Sequence, residues 1–442
     1  MSEVSSVYDL VQRRLETIFA SFDNVYVSFS GGKDSGVLLN LCVDYVRRHG
    51  LKRKIGVFHM DYEIQYRETI DYVDRVLAAD ADILEVYRVC VPFKVSTSTS
   101  MFQQYWRPWE EDKRDIWVRK MPKGCYTRRD FPFFTDEMWD YDFQIRFAEW
   151  LHERKKARRT CCLIGIRTQE SFNRWRCIYS SRNLHHFPNE RWIRQWKKTG
   201  VFNAYPIYDW LTTDVWTANG KFGWTYNRLY DLYYKAGVSL DNQRVASPFI
   251  APAIASLHLY RAIDPDTWGR MIGRVNGANF AALYGRTSAI GWQSVRLPEG
   301  LTWEKYMHFL LSTLPERTRR NYLEKLSVSM RFWRDKGGCL SERTILGLQK
   351  AGIPILVGEK SGYRTNKRPV RMEYIDDIDL PEFNRLPTFK RICICILKND
   401  HACKYMGFSL NKYEKTHRKK IMKKYESMLH GTEENRIPES GI

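Results

Sequence analysis

"VYVSFSGGKDSGVLLNLCVDYV", residues 25–46, passes from one kind of local structure to another within a single turn. Val25 to Phe29 is a short run of β-branched and aromatic residues, the composition of a buried strand. Ser35 to His49 carries apolar residues on most of its sides and stops at Gly50, which reads as a well-buried helix. Between them lie Ser30, Gly31, Gly32, Lys33, Asp34 and Ser35. Glycines let a backbone approach a ligand closely, and amides at a helix N-terminus attract anions, so this loop suits phosphate.

The loop is not of the Walker type, which places four residues between its glycines and then Lys followed by Ser or Thr. Here Gly31 and Gly32 are adjacent and Lys33 precedes Asp34. "SGGKDS" instead resembles the SGGxDS fingerprint of the PP-loop, or N-type ATP pyrophosphatase, superfamily. That resemblance implies a loop that holds the pyrophosphate leaving ATP when the α-phosphate is attacked.

Further strands and helices alternate with the first pair. "KIGVFHMD", residues 54–61, reads as a strand ending in an acidic residue, and Ile64 to Leu77 as an amphipathic helix. Ile83 to Val91 reads as a third strand and "TCCLIGI", residues 160–166, as a later one. Such alternation predicts an α/β fold, a Rossmann-like parallel sheet with helices on both faces. In that fold ligands gather outside the carboxyl ends of the strands, where "SGGKDS", "HMDYE" and "GIRTQES" all begin.

"LIGIRTQESFNR", residues 163–174, resembles the G-x-R-x-x-E/Q-S-x-x-R segment of phosphoadenosine phosphosulfate reductases, with Gly165, Arg167, Glu170, Ser171 and Arg174 on the pattern. Guanidinium groups suit multidentate contact with phosphate or sulfate oxygens. "YPIYDWLTTDVWTAN" (205–219) and "YNRLYDLYYKAGVSL" (226–240) resemble the later segments of the same enzymes. Asp214 is expected to serve a helix start. The reductases also use a cysteine near the chain end as the nucleophile on sulfur, whereas this chain has no cysteine after Cys403.

The resemblance implies ATP phosphates lying over Ser30, Gly31, Gly32, Asp34 and Ser35, with Gly165, Glu170 and Arg174 completing the nucleotide site and Mg²⁺ on Asp34 or Asp61. Lys33, Asp34 and Arg167 are the expected catalytic residues: the two cations offset charge on the departing pyrophosphate. An acceptor oxygen would then become adenylylated. A true phosphoadenosine phosphosulfate reductase is one alternative.

Lys and Arg number 71 against 51 Asp and Glu in 442 residues, a formal charge of +20 that favours polyanionic partners. Residues 101–159 look like an insertion in which basic and aromatic residues interleave, the mixture that stacks on bases and neutralises phosphates. Trp106, Trp109, Trp117, Arg128 and Arg129 are its candidate DNA or RNA contacts; the alternative is aromatic side chains buried against the sheet. Ten scattered cysteines fit a reducing bacterial cytoplasm better than a disulfide framework, and no apolar run has the length of a membrane span.

The composition changes after residue 245, dividing a PP-loop domain, 1–245, from a mostly helical basic region, 246–442, that ends in an amphipathic run over 411–429. This layout resembles the DUF3440 family, which includes the immunoglobulin-binding regulator A group. It implies a second alternative: a nucleotide-sensing co-regulator or mobile-element protein working with a ParB-like companion. Cys393, Cys395 and Cys403 raise zinc or an iron–sulfur cluster, but C-x-C spacing is poor for zinc, and a buried strand with both cysteines on one face accounts for them equally.

Overall fold

The computed structural model describes residues 6–179, 186–187, 190–196, 199–240, 243–245, 247–284, 295–359, 367–380 and 385–407. The basic run over 411–429 lies outside them. The chain forms two compact units, Met1–Gly285 and Arg286–Ile442, so residues 246–285 pack with the first.

The first unit is built on a seven-stranded sheet. Its strands are β1 (Asn24–Ser28), β2 (Ile55–Met60), β3 (Leu84–Val89), β6 (Thr160–Ile164), β7 (His186–Phe187), β8 (Glu190–Gln195) and β9 (Val201–Ala204), and β4 (Val95–Ser96) with β5 (Tyr105–Trp106) forms a separate ribbon. The order across the sheet is β3-β2-β1-β6-β9-β8-β7. The first five run parallel, as the alternation of elements requires, and β8 and β7 add antiparallel to that edge.

Both faces are covered, which explains why the central strands are apolar at nearly every position. Val25, Val27, Ile55, Val57, Cys161 and Leu163 turn to one face. They meet Val11, Leu15 and Ile18 of α1 (Val7–Ser21), Leu38 and Leu41 of α2 (Lys33–Arg48), Val73 of α3 (Arg67–Ala79) and Val215 of α6 (Thr212–Phe222). Tyr26, Phe58 and Tyr87 turn to the other face and pack on Phe147 of α4 (Asp140–Arg154), with Phe58 and Phe147 stacked at 4.0 Å. Phe143, Phe147 and Leu151 recur every four residues along α4, so they form one stripe.

Chain order reverses direction at β1. β2 and β3 lie to one side of it and β6 to the other, so the loops leaving β1 and β6 part and open a crevice at their carboxyl ends. Among the described residues this unit also has the α-helices α5 (Phe172–Tyr179), α7 (Leu229–Lys235), α8 (Tyr260–Ile263), α9 (Pro265–Arg274) and α10 (Ala278–Tyr284).

The second unit has helices α11 (Trp303–Ser312), α12 (Glu316–Asp335), α13 (Glu342–Lys350) and α14 (Phe389–Leu397). It also has a three-stranded antiparallel sheet, β10 (Gly338–Ser341), β12 (Lys367–Met372) and β11 (Ile355–Val357), in that order. Cys393 and Cys395 therefore lie on a helix, not on the expected strand. Two residues along a helix are about 200° apart, so Cys393 reaches the carbonyl of Trp303 while Cys395 faces Asp400. The two side chains therefore point apart.

Candidate functional site at the carboxyl ends of β1 and β6

The "SGGKDS" loop spans this crevice. Gly31 has φ +76°, a conformation L side chains rarely adopt, and a Cβ there would lie 2.9 Å from Val73 Cγ2. Gly32 is extended and begins α2, so the positive end of a 16-residue helix faces the loop. The loop is braced internally: the Ser30 amide donates to Ser35 Oγ at 3.2 Å, and Ser35 Oγ donates to the Gly32 carbonyl at 3.1 Å. Gly165, just past β6, fits beneath it; a Cβ would be 3.0 Å from the Asp34 carbonyl carbon and oxygen and from the Ser35 nitrogen.

Arg167 reaches the loop from the β6 side and is 2% exposed. Its Nε donates to Asp34 Oδ1 at 2.6 Å, Nη1 to Gln169 at 3.1 Å and Nη2 to Glu170 at 3.2 Å. Lys33 Nζ lies 3.2 Å from Asp34 Oδ2. Burial pushes the Lys33 ammonium below its ordinary value, and the neighbouring Asp34 opposes that shift. Arg174 pairs with Glu170 and lies in the field of Asp34, Arg244 and Arg167; burial pulls its pKa down as well. Three cations thus surround two carboxylates, with the exposed Arg244 acting on Arg174, and the excess positive charge beside the α2 N-terminus suits an anion. Glu170 serves here by orienting Arg167 and Arg174.

Two residues named only as parts of a motif brace the loop from outside. The Tyr230 hydroxyl accepts from the Lys33 amide at 3.1 Å. Asn227 Nδ2 donates to the Gly31 carbonyl at 3.0 Å and to Thr69 at 2.9 Å. Their signal was present in "YNRLY". Arg244 lacked any, because nothing local marks a residue 70 positions from Arg174 as its neighbour.

Asp61 does not join the loop as expected. It is completely buried, its Oδ2 accepts from Arg88 at 3.0 Å and its Oδ1 from Arg119 and the Glu63 amide. Burial alone would raise its pKa, but the two guanidinium groups outweigh burial and hold the carboxyl well below the usual range. Both oxygens are engaged, so Asp61 is not available to a metal. Asp34 is already shared between Lys33 and Arg167. Among the described residues no group of three or more His, Cys, Asp or Glu could hold a metal ion, and Asp34 and Asp61, the expected Mg²⁺ ligands, are each engaged by cationic side chains instead.

In the aromatic insertion the tryptophans follow the alternative reading, burial, and not nucleic-acid contact. Trp106 and Trp109 are 1% and 2% exposed, so no base can stack on them. Trp109 Nε1 donates to the Asp61 carbonyl at 2.7 Å, and Trp106 packs edge-on to Phe249 at 5.4 Å. Trp117 is partly buried, donates to the Glu110 carbonyl at 2.9 Å and lies edge-on to Trp109. Burial against the core accounts for all three. Arg128 and Arg129 are exposed, and Arg128 pairs with Asp136 at 3.4 Å.

Residues 24–236 match the phosphoadenosine phosphosulfate reductase domain, and residues 237–417 match a domain of unknown function, DUF3440. Uncharacterized protein YbdN of Escherichia coli (strain K12) is 31% identical over 411 residues, 92% of this chain and 91% of that protein. The chain belongs to the family that joins these two domains. Family membership thus covers both parts, including the DUF3440 region inferred from layout alone.

Among solved structures, phosphoadenylyl-sulfate reductase from Candida auris matches at 17% identity and TM-score 0.28, covering 50% of this chain and 84% of that one. FMN adenylyltransferase from Candida glabrata matches at 14% identity and TM-score 0.29, covering 52% of this chain and 62% of that one. Among the described residues no helix is long and apolar enough to cross a membrane.

Proposed function

We propose that the first unit binds ATP across the β1–β6 crevice and directs an acceptor to its α-phosphate, so that pyrophosphate leaves and the acceptor is adenylylated. The observation that carries this reading is the convergence of Lys33, Arg167 and Arg174 on a glycine-turned loop at the N-terminus of α2. Negative charge grows on the β-phosphate oxygens as the bond to the α-phosphate breaks. Fixed cations in a partly dry site stabilise that charge without reorganising. Asp34 holds the Lys33 and Arg167 head groups against mutual repulsion and keeps both aimed at one point.

The test is product analysis with the full chain, ATP and Mg²⁺, alone and with total bacterial RNA or DNA, using Asp34→Ala as control. Pyrophosphate and AMP that depend on Asp34 support the reading, whereas phosphate and ADP overturn it.

A second reading is favoured by the reductase-domain match: the same anion site would hold phosphoadenosine phosphosulfate. Sulfite release with a dithiol reductant distinguishes it. Regulation with DNA or RNA or a ParB-like companion draws on the +20 charge and on the DUF3440 region. Its mark is salt-sensitive nucleic-acid binding that ignores loop mutations.

A further inference from the structure

A pair of cysteines stands at the other side of the same sheet edge. Tyr126 pairs with Val89, the last residue of β3, in an isolated parallel bridge. The Cys90 amide donates to the Tyr126 carbonyl at 2.8 Å, and the Tyr126 amide donates to the Arg88 carbonyl at 2.7 Å. Tyr126 thus sits between Arg88 and Cys90 in register. Side chains alternate across a sheet, so Val89 and Tyr126 share one face with Tyr87, whose ring Tyr126 meets at 5.4 Å. Cys90 and Cys125 fall together on the opposite face, beside the Arg88–Asp61–Arg119 cluster. The register makes the two thiols neighbours on that face, and each bears on the other's titration.

The two differ in access. Cys90 is 1% exposed, while Cys125 follows Gly124, at φ +70°, and is only partly buried. The neighbouring Cys90 thiol lowers the Cys125 thiol below its ordinary value and Arg88 adds to this, against opposing burial and the Asp61 charge. Burial pushes the Cys90 thiol far up. A second facing pair, Cys395 and Cys403, lacks this asymmetry: both are buried, and burial raises Cys395. Thiolate character with access marks a reactive cysteine.

We infer that Cys90 and Cys125 form a redox-active dithiol that reacts with low-molecular-weight disulfides, Cys125 attacking and Cys90 resolving. The Cys125 thiolate attacks one sulfur of the small disulfide and expels the other half as a thiolate. Cys90 then gives up its proton and attacks the Cys125 sulfur, the second half leaves as a thiol, and a Cys90–Cys125 disulfide remains. Two electrons pass from the protein to the small disulfide, which ends as two thiols. The site is separate from the proposed adenylylation and requires no nucleotide.

The test uses the full chain in glutathione buffers of increasing oxidation, quenched with an alkylating agent and mapped by mass spectrometry. The expected result is loss of both free thiols together, with one peptide pair linked through Cys90 and Cys125. In Cys90→Ser, glutathione should remain trapped on Cys125; in Cys125→Ser, Cys90 should acquire none. Two outcomes overturn the inference: both thiols still free when exposed Cys339 is fully glutathionylated, or glutathione stably retained on Cys125 in the unmodified sequence. The mapping on the unmodified sequence decides the matter even where a serine variant folds poorly.

Discussion

Replacing Gly165 by Ala would test whether the β6 arm sets the position of the phosphate loop. The added Cβ would lie 3.0 Å from three backbone atoms, the Asp34 carbonyl carbon and oxygen and the Ser35 nitrogen. Unstrained contact between carbons is about 3.5–4.0 Å, so the loop or strand must retreat by roughly half an ångström. Backbone cannot turn aside as a flexible side chain can. Overpacking of this kind costs about 1–3 kcal/mol. In a unit of this size that lowers Tm by about 2–4 °C per kcal/mol.

A misplacement of about 1 Å at reacting groups costs about 100-fold, so half of it should lower kcat/KM for pyrophosphate release about tenfold. Gly220, inside α6 with open space where a Cβ would stand, supplies the control. Gly220→Ala should gain up to about 1 kcal/mol from helix propensity and leave the rate unchanged. The assays are thermal melting and pyrophosphate release on both variants. Gly165→Ala melting with Gly220→Ala, at an undiminished rate, would refute the reasoning.

Glu63 is fully buried, accepts from Arg274 at 3.0 and 3.1 Å and from the Trp109 and Val118 amides. Arg274→Met should therefore cost about 3–5 kcal/mol by urea unfolding, because it strands a buried carboxylate. The added change Glu63→Gln should recover part of that loss. Asp61 has its folded pKa held below the unfolded value, so its stabilisation is present above about pH 4 and is lost as pH falls through the folded value. Asp61→Asn should flatten the acid side of a stability-against-pH curve. Trp109→Ala should destabilise by about 3–5 kcal/mol, whereas the exposed pair Arg128→Ala and Arg129→Ala should leave Tm within about 2 °C. If those two arginines touch nucleic acid, gel shifts of the double variant should weaken and their salt dependence should become shallower.

Period and punctuation in one sequence were enough to fix the central elements of the first unit. The strand at β1, the "SGGKDS" turn and α2 were legible because the run of apolar residues, the paired glycines and the helix that follows are all local signals. So was the parallel core, since strands that alternate with helices close in only one sense. Arg167 was marked by the resemblance of "GIRTQESFNR" to the reductase segment, and in the structure it contacts Asp34 of the other motif.

Tertiary structure alone decided which polar groups are already spent. Asp61 reads as a free carboxylate at a strand end, yet two guanidinium groups from residues 27 and 58 positions further along the chain claim it. Trp106 and Trp109 read equally as a nucleic-acid surface or as buried packing, because composition carries no sense of inside and outside; their burial, with the Trp109 bond to the Asp61 carbonyl, decides for packing. The antiparallel strands β7 and β8 and the small β10-β12-β11 sheet were invisible for a related reason: short antiparallel edges are made by pairing between distant segments, which no local pattern announces. The same holds for Cys90 and Cys125. Thirty-five residues separate them, and only the register of Tyr126 beside Val89 turns two unremarked cysteines to the same face.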